Sequence, residues 1–179
     1  GAPEWRRAAD GGSLLFVEEL ALQHYATPAG GGWWGAHDEG SSLRPLFDLL
    51  LWEATRTPVA AGGVWASAYQ RAPLDLGTRH FYEARAEPID ARLAEVERSS
   101  PTQLAELVRA AYFAHHGVQS ATVRWAGRGA LSLMRAQATA VCLGGAPLAG
   151  MLREFAASGR FGSLPDLTLL RVRRAAAAC

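Results

Sequence analysis

Only one stretch of this chain, residues 164–173, reads as a convincing β-strand, and a strand cannot stand alone. Once buried, its backbone N–H and C=O groups need partners, because an orphaned amide costs about as much as a lost hydrogen bond. The natural partner is the next strand in sequence, and residues 1–179 do not read as supplying one. The expectation is an incomplete core sheet with an open edge, and therefore poor solubility of this polypeptide in isolation.

The remaining chain is patterned for helices, with apolar residues recurring every three and four positions. Leu14, Val17, Leu20, Ala21 and Tyr25 carry a helix from Ser13 to about Thr27, which Pro28 and the Gly30-Gly31-Gly32 run end. Ser41 or Ser42 caps the next, whose apolar face is Leu43, Leu46, Phe47, Leu50, Leu51 and Ala54. Pro45 falls in its first turn, where a missing N–H costs little. Residues 64–78 read as irregular, with a turn at Ala72-Pro73-Leu74-Asp75-Leu76, and helices follow at about 79–86 and 88–98. Ser100-Pro101 opens a helix that Gly117 ends; Thr122 to Trp125 reads as a short extended piece; the last two helices run over about 130–143 and 147–158. Residues 1–11 read as a lead-in, 12–174 as one domain and 175–179 as a tail.

A length of 179 residues suits one domain with a real core, and 49% hydrophobic against 20% charged residues is a globular balance. The net charge of +1 carries no nucleic-acid signature, although all 18 basic residues are Arg, through either phosphate recognition or GC-rich codon usage. Cys142 and Cys179 have no metal-type spacing, which implies a reducing compartment without a disulfide framework. No signal peptide and no run of roughly 18 apolar residues is present, so no membrane partner is expected. The missing initiator Met and the Arg-Arg-Ala ending read as an incomplete gene model or a fragment.

Two acids sit where a rigid element can aim them. Glu39, in His37-Asp38-Glu39-Gly40-Ser41-Ser42-Leu43, precedes an apolar helix; Asp166, in Leu164-Pro165-Asp166-Leu167, opens the strand. Such a pair can hold a divalent metal against a phosphate. Each also has an ordinary use: Glu39 in favouring a helix N-terminus, Asp166 in accepting from turn amides. Asp38 reads as solvated, and His37 as orienting Glu39, binding metal or doing neither. His115-His116 reads as imidazolium at a helix C-terminus, and Trp33-Trp34 as a loop anchor or a base-stacking pair. Gly30-Gly31-Gly32 lacks the strand and lysine of a phosphate loop, and no Ser/His/Asp or Cys/His order supports nucleophilic catalysis.

Taken in order, several segments resemble the nuclease domain of Fanconi-associated nucleases. They are Val17-Glu18-Glu19-Leu20-Ala21-Leu22-Gln23-His24-Tyr25, the Glu39 segment with Leu49-Leu50-Leu51-Trp52-Glu53, Ala72-Pro73-Leu74-Asp75-Leu76-Gly77-Thr78, Val141-Cys142-Leu143-Gly144-Gly145 and Gly162-Ser163-Leu164-Pro165-Asp166-Leu167. The resemblance covers about residues 15–170. It implies a VRR-NUC domain of the PD-(D/E)XK superfamily: an α/β, restriction-endonuclease-like fold, mostly helical in the part present. It further implies a structure-specific endonuclease and 5′–3′ exonuclease acting at 5′ flaps in interstrand crosslink repair. Branched or 5′-flap DNA and DNA-repair proteins are the implied partners, the nucleus the location, and Mg²⁺ or Mn²⁺ the cofactor. By position, Glu39 and Asp166 match the catalytic metal ligands, and Gln137 lies where the family also has Gln. Hard carboxylate oxygens suit such a cation, which lowers the pKa of a bound water and neutralises charge at phosphorus. The family's Glu-x-Lys strand has no counterpart, and the chain contains no lysine at all. Arg stays charged and cannot accept the proton. The expectation is a catalytically dead or very weak polypeptide, and the alternative is a non-catalytic helical module that binds DNA or protein.

Overall fold

The structure is a computed structural model that describes residues 6–7, 14–38, 40–59, 64–158 and 167–170. The chain divides into two compact units, residues 1–40 with 164–179, and residues 41–163.

In the first unit, β1 (Arg6–Arg7) and β2 (Leu14–Leu15) form a short antiparallel ladder. Helix α1 (Val17–Ala26) follows, shorter at its start than the periodicity predicts because Leu14 and Leu15 are extended. The Glu19 carboxylate accepts from the Phe16 N–H at 3.1 Å and satisfies one orphan donor at the helix start. The glycine run then reverses the chain. A Cβ on Gly30 would lie 2.0 Å from the His24 carbonyl oxygen, so only glycine passes there. The turn delivers the chain to β3 (Trp34–His37), which packs along α1 and pairs antiparallel with β4 (Leu167–Leu170).

That pairing corrects the expectation of a partnerless strand: the chain itself supplies the neighbour, from its N-terminal end. The register sets Trp34 opposite Leu170, Gly35 opposite Leu169, Ala36 opposite Thr168 and His37 opposite Leu167. Trp-Gly-Ala-His carries no β-branched residue and no apolar alternation, so neither strand signal marks it.

The described residues of the second unit form helices joined by irregular segments, with no strand among them. Helix α2 (Leu43–Leu50) is buried along almost its whole circumference, including Leu43, Leu46, Phe47, Leu49 and Leu50, as a helix at the centre of a core should be. It passes through Leu51 into α3 (Trp52–Arg56). Phe47 on α2 meets Phe81 of α4 (Arg79–Glu83) and Phe155 of α8 (Gly145–Ser158), with ring centroids 6.4 and 6.5 Å apart. Helices α5 (Ala86–Arg98) and α8 pack together, as do α6 (Pro101–His115) and α7 (Leu133–Leu143). A Cβ on Gly145 would lie 2.5 Å from the carbonyl oxygens of Val96 and Glu97, which makes glycine obligatory where α8 starts against α5. At the start of α6, Ser100 and Gln103 form the reciprocal capping box. Thr122 to Trp125 adopts no strand. Among the described residues no helix is long and apolar enough to cross a membrane.

Asp75, in the turn segment, accepts from both terminal nitrogens of fully buried Arg85, at 2.7 and 3.3 Å. Removing only the carboxylate would strand a guanidinium inside the core, whereas replacing both groups by apolar side chains removes the charge altogether. Asp75→Ala should therefore cost about 3–5 kcal/mol in urea denaturation, and Asp75→Leu with Arg85→Met should recover most of that loss.

Candidate functional site

Glu39 and Asp166, the two predicted metal ligands, lie outside the described residues. Described residues close to them in sequence are nevertheless paired. His37, two positions before Glu39, is the register partner of Leu167, the residue next after Asp166. Strands from opposite ends of the sequence thus share one antiparallel ladder, whose hydrogen bonds hold the pair of residues 37 and 167 in register. Between His37 and Glu39 stands Asp38, which is only 2% exposed; the expectation of a solvated side chain is wrong. Burying a carboxylate demands compensating partners, so this segment is a built part of the fold rather than a surface loop. Gly40 follows at φ +76°, a left-handed turn that leads into the cap of α2.

The other candidates have structural uses. Gln137 on α7 donates from Nε2 to the Ala105 carbonyl of α6 at 2.9 Å, a clamp between two packed helices. The glycine run is the α1–β3 reversal. Trp34 is 58% exposed and does not anchor its loop in a core. His115 lies flat on Trp52, with ring centroids 4.3 Å apart and planes 10° from parallel, while Arg56 covers Trp52 at 3.2 Å. His116 joins Tyr112 and Trp125 in an aromatic cluster. Cys142 is an exposed free thiol.

Sequence reasoning missed one buried polar network. Asp48, on the otherwise apolar α2, accepts from Arg56 at 3.1 Å and from the Ser120 hydroxyl, whose oxygen in turn accepts from the amides of Thr122 and Val123. The visible signal was a lone carboxylate inside a run of leucines. Among the described residues no three His, Cys, Asp or Glu side chains gather as a cation site.

No protein-family model matches the chain. Its described fold is similar to part of solved flap-DNA complexes. A crystal structure of paFAN1 bound to 2nt 5′-flap DNA with a gap superposes with a TM-score of 0.65 at 28% identity, covering 86% of this chain and 26% of that one. A companion complex with a 1nt 5′ flap gives 0.66 at 26% identity, covering 87% and 27%. Among curated proteins, the Fanconi-associated nuclease 1 homolog of Oryza sativa is 38% identical over 162 residues, which is 89% of this chain and 16% of that protein. The human Fanconi-associated nuclease 1 is 37% identical over 158 residues, 87% of this chain and 15% of that protein. Fanconi-associated nucleases are thus what this chain resembles over most of its own length. The chain belongs to the Fanconi-associated nuclease 1 family, and spans about 15% of the length of the curated relatives it matches.

Burial pushes the His115 pKa below its ordinary value; Glu53 raises it, Arg56 lowers it and Asp48 raises it, and burial prevails. Burial against Trp52 thus favours the neutral, stacked imidazole over imidazolium. The unfolded chain binds this proton more readily than the folded one, so stability should be full above about pH 7 and decline as the pH falls through about 6.5. Thermal melts of the wild type should show that decline between about pH 7 and 5, and His115→Phe should flatten it.

Proposed function

We propose that this chain carries part of a metal-dependent DNA nuclease that hydrolyses phosphodiester bonds at 5′-flap structures, on a restriction-endonuclease-like fold, in nuclear DNA repair. The observation that carries this reading is the β3–β4 register, which pairs the flanks of the two acidic segments. Membership in the nuclease family supports it, as do solved relatives on 5′-flap DNA.

Glu39 and Asp166 would hold Mg²⁺ or Mn²⁺. Their chemistry fits, since both supply the hard anionic oxygens these ions prefer, and both adjoin the paired backbone step. When bound, such a cation supplies an acidified water and neutralises charge at the phosphoryl group. What supports a positional role for the chain is the ladder of residues 34–37 with 167–170 and the burial of Asp38, both next to these residues in sequence. Residues 1–179 offer no lysine amine to take a proton from the water, and the 18 arginines remain protonated.

The test is Mn²⁺ titration calorimetry on the chain, with cleavage of a labelled 5′-flap DNA alongside. Glu39→Ala and Asp166→Ala should each weaken Mn²⁺ binding by more than about tenfold, since even the loss of a supporting partner costs 10–100-fold. Cleavage by residues 1–179 should be slow and should vanish in both variants. Unchanged Mn²⁺ affinity in both variants contradicts the assignment and favours the non-catalytic DNA- or protein-binding alternative.

A further inference from the structure

In the helical unit, a groove of about 480 Å³ is lined by Arg44, Arg124 and Arg135, and none of its lining residues is Asp or Glu. Three cations around one concavity are notable in a chain whose net charge is +1. Their convergence has a structural origin. Arg44 stands in the first turn of α2 and Arg135 in the first turn of α7, and these helices pack on each other. Arg124 is carried to the same place by a loop that closes where the Leu131 N–H donates to the Arg124 carbonyl at 2.7 Å, just before Ser132 caps α7. The same loop presents exposed Arg128 at its tip.

The backbone adds to that field. The N-termini of α2 and α7 both open at the groove, and neither helix has an acidic residue in its first turn. By contrast, α1, α3 and α5 each place a glutamate there. Each N-terminus carries roughly half a positive charge, and backbone N–H groups at such an end can donate to anion oxygens. Asp48, four residues after Arg44, is bonded to Arg56 and Ser120. Two other concavities of this unit are as large, about 470 and 520 Å³, but one is walled mainly by apolar residues and the other has Arg56 as its one arginine. Charge, not size, singles out this one.

We infer that the Arg44–Arg124–Arg135 groove binds the phosphodiester backbone of a DNA strand. The choice of DNA among polyanions rests on the nuclease reading above. Arginine forks match phosphate oxygens two at a time, and such pairings set register and strength of binding without reading sequence.

The experiment measures fluorescence anisotropy of a labelled 5′-flap DNA with the full 179-residue chain in EDTA, so that the carboxylate site plays no part, over a series of salt concentrations. Wild type should bind with a steep salt dependence. The triple variant Arg44→Gln, Arg124→Gln, Arg135→Gln should lower the log–log salt slope by about 0.7–0.9 for each phosphate left without its arginine, and weaken binding without regard to sequence. Lysine at the same three positions should restore most of the slope. Arg124→Gln alone, on an exposed loop residue, should lower the slope by the amount due to a single phosphate if the triple variant does not fold. Exposed Arg79→Gln and Arg109→Gln, outside the groove, should bind as wild type. Glutamine variants that fold and keep the wild-type slope overturn the groove and leave the nuclease reading standing. A wild-type chain that fails to bind flap DNA but captures an acidic peptide overturns both.

Discussion

The antiparallel pairing of β3 with β4 is the constraint on which the functional reading depends. A strand drawn from the far end of the chain is stable only if its backbone groups are met, and residues 34–37 meet them. Because the side-chain period of a strand is two, a slip of one residue would turn every side chain to the other face. The register therefore fixes not only the fold of this unit but which residues adjoin Glu39 and Asp166. His37 stands opposite Leu167, two positions from Glu39 and one from Asp166 in sequence.

The helical unit solves a different problem. Helix α2 is immersed in apolar side chains, yet it carries Asp48, whose charge is met by Arg56 and by the Ser120 hydroxyl. Arg85 is likewise buried and met by Asp75. Both arrangements tie irregular segments to helices: Ser120 belongs to the stretch after α6, and Asp75 to the turn before α4. Leaving either charge unmatched is costly, so the loops are held by electrostatics that apolar packing alone could not supply.

Much of the helical architecture was legible in the sequence because its signals are local. Ser100-Pro101 announced α6, Ser41-Ser42 before leucines announced α2, and the glycines at 30–32 announced a break. What was not legible was non-local. Trp-Gly-Ala-His has no strand pattern of its own and becomes one only because β4 needs a partner. Asp38 looks like a loop carboxylate, and only the fold buries it. The bond from Gln137 to the Ala105 carbonyl, which ties α7 to α6, likewise joins residues far apart in sequence. Glu39 and Asp166 were singled out by their places at the ends of regular elements, and the register of their neighbours is the part of that proposal that no single segment could reveal.

The most direct test of the central claim is paramagnetic relaxation by Mn²⁺ in an amide-resolved NMR spectrum of the chain. If the two acidic segments hold one cation, substoichiometric Mn²⁺ should broaden the amides of His37, Asp38 and Leu167 together, and both Glu39→Ala and Asp166→Ala should abolish the effect at all three. Broadening that affects only one of the two strands, or that survives both substitutions, would contradict a shared site.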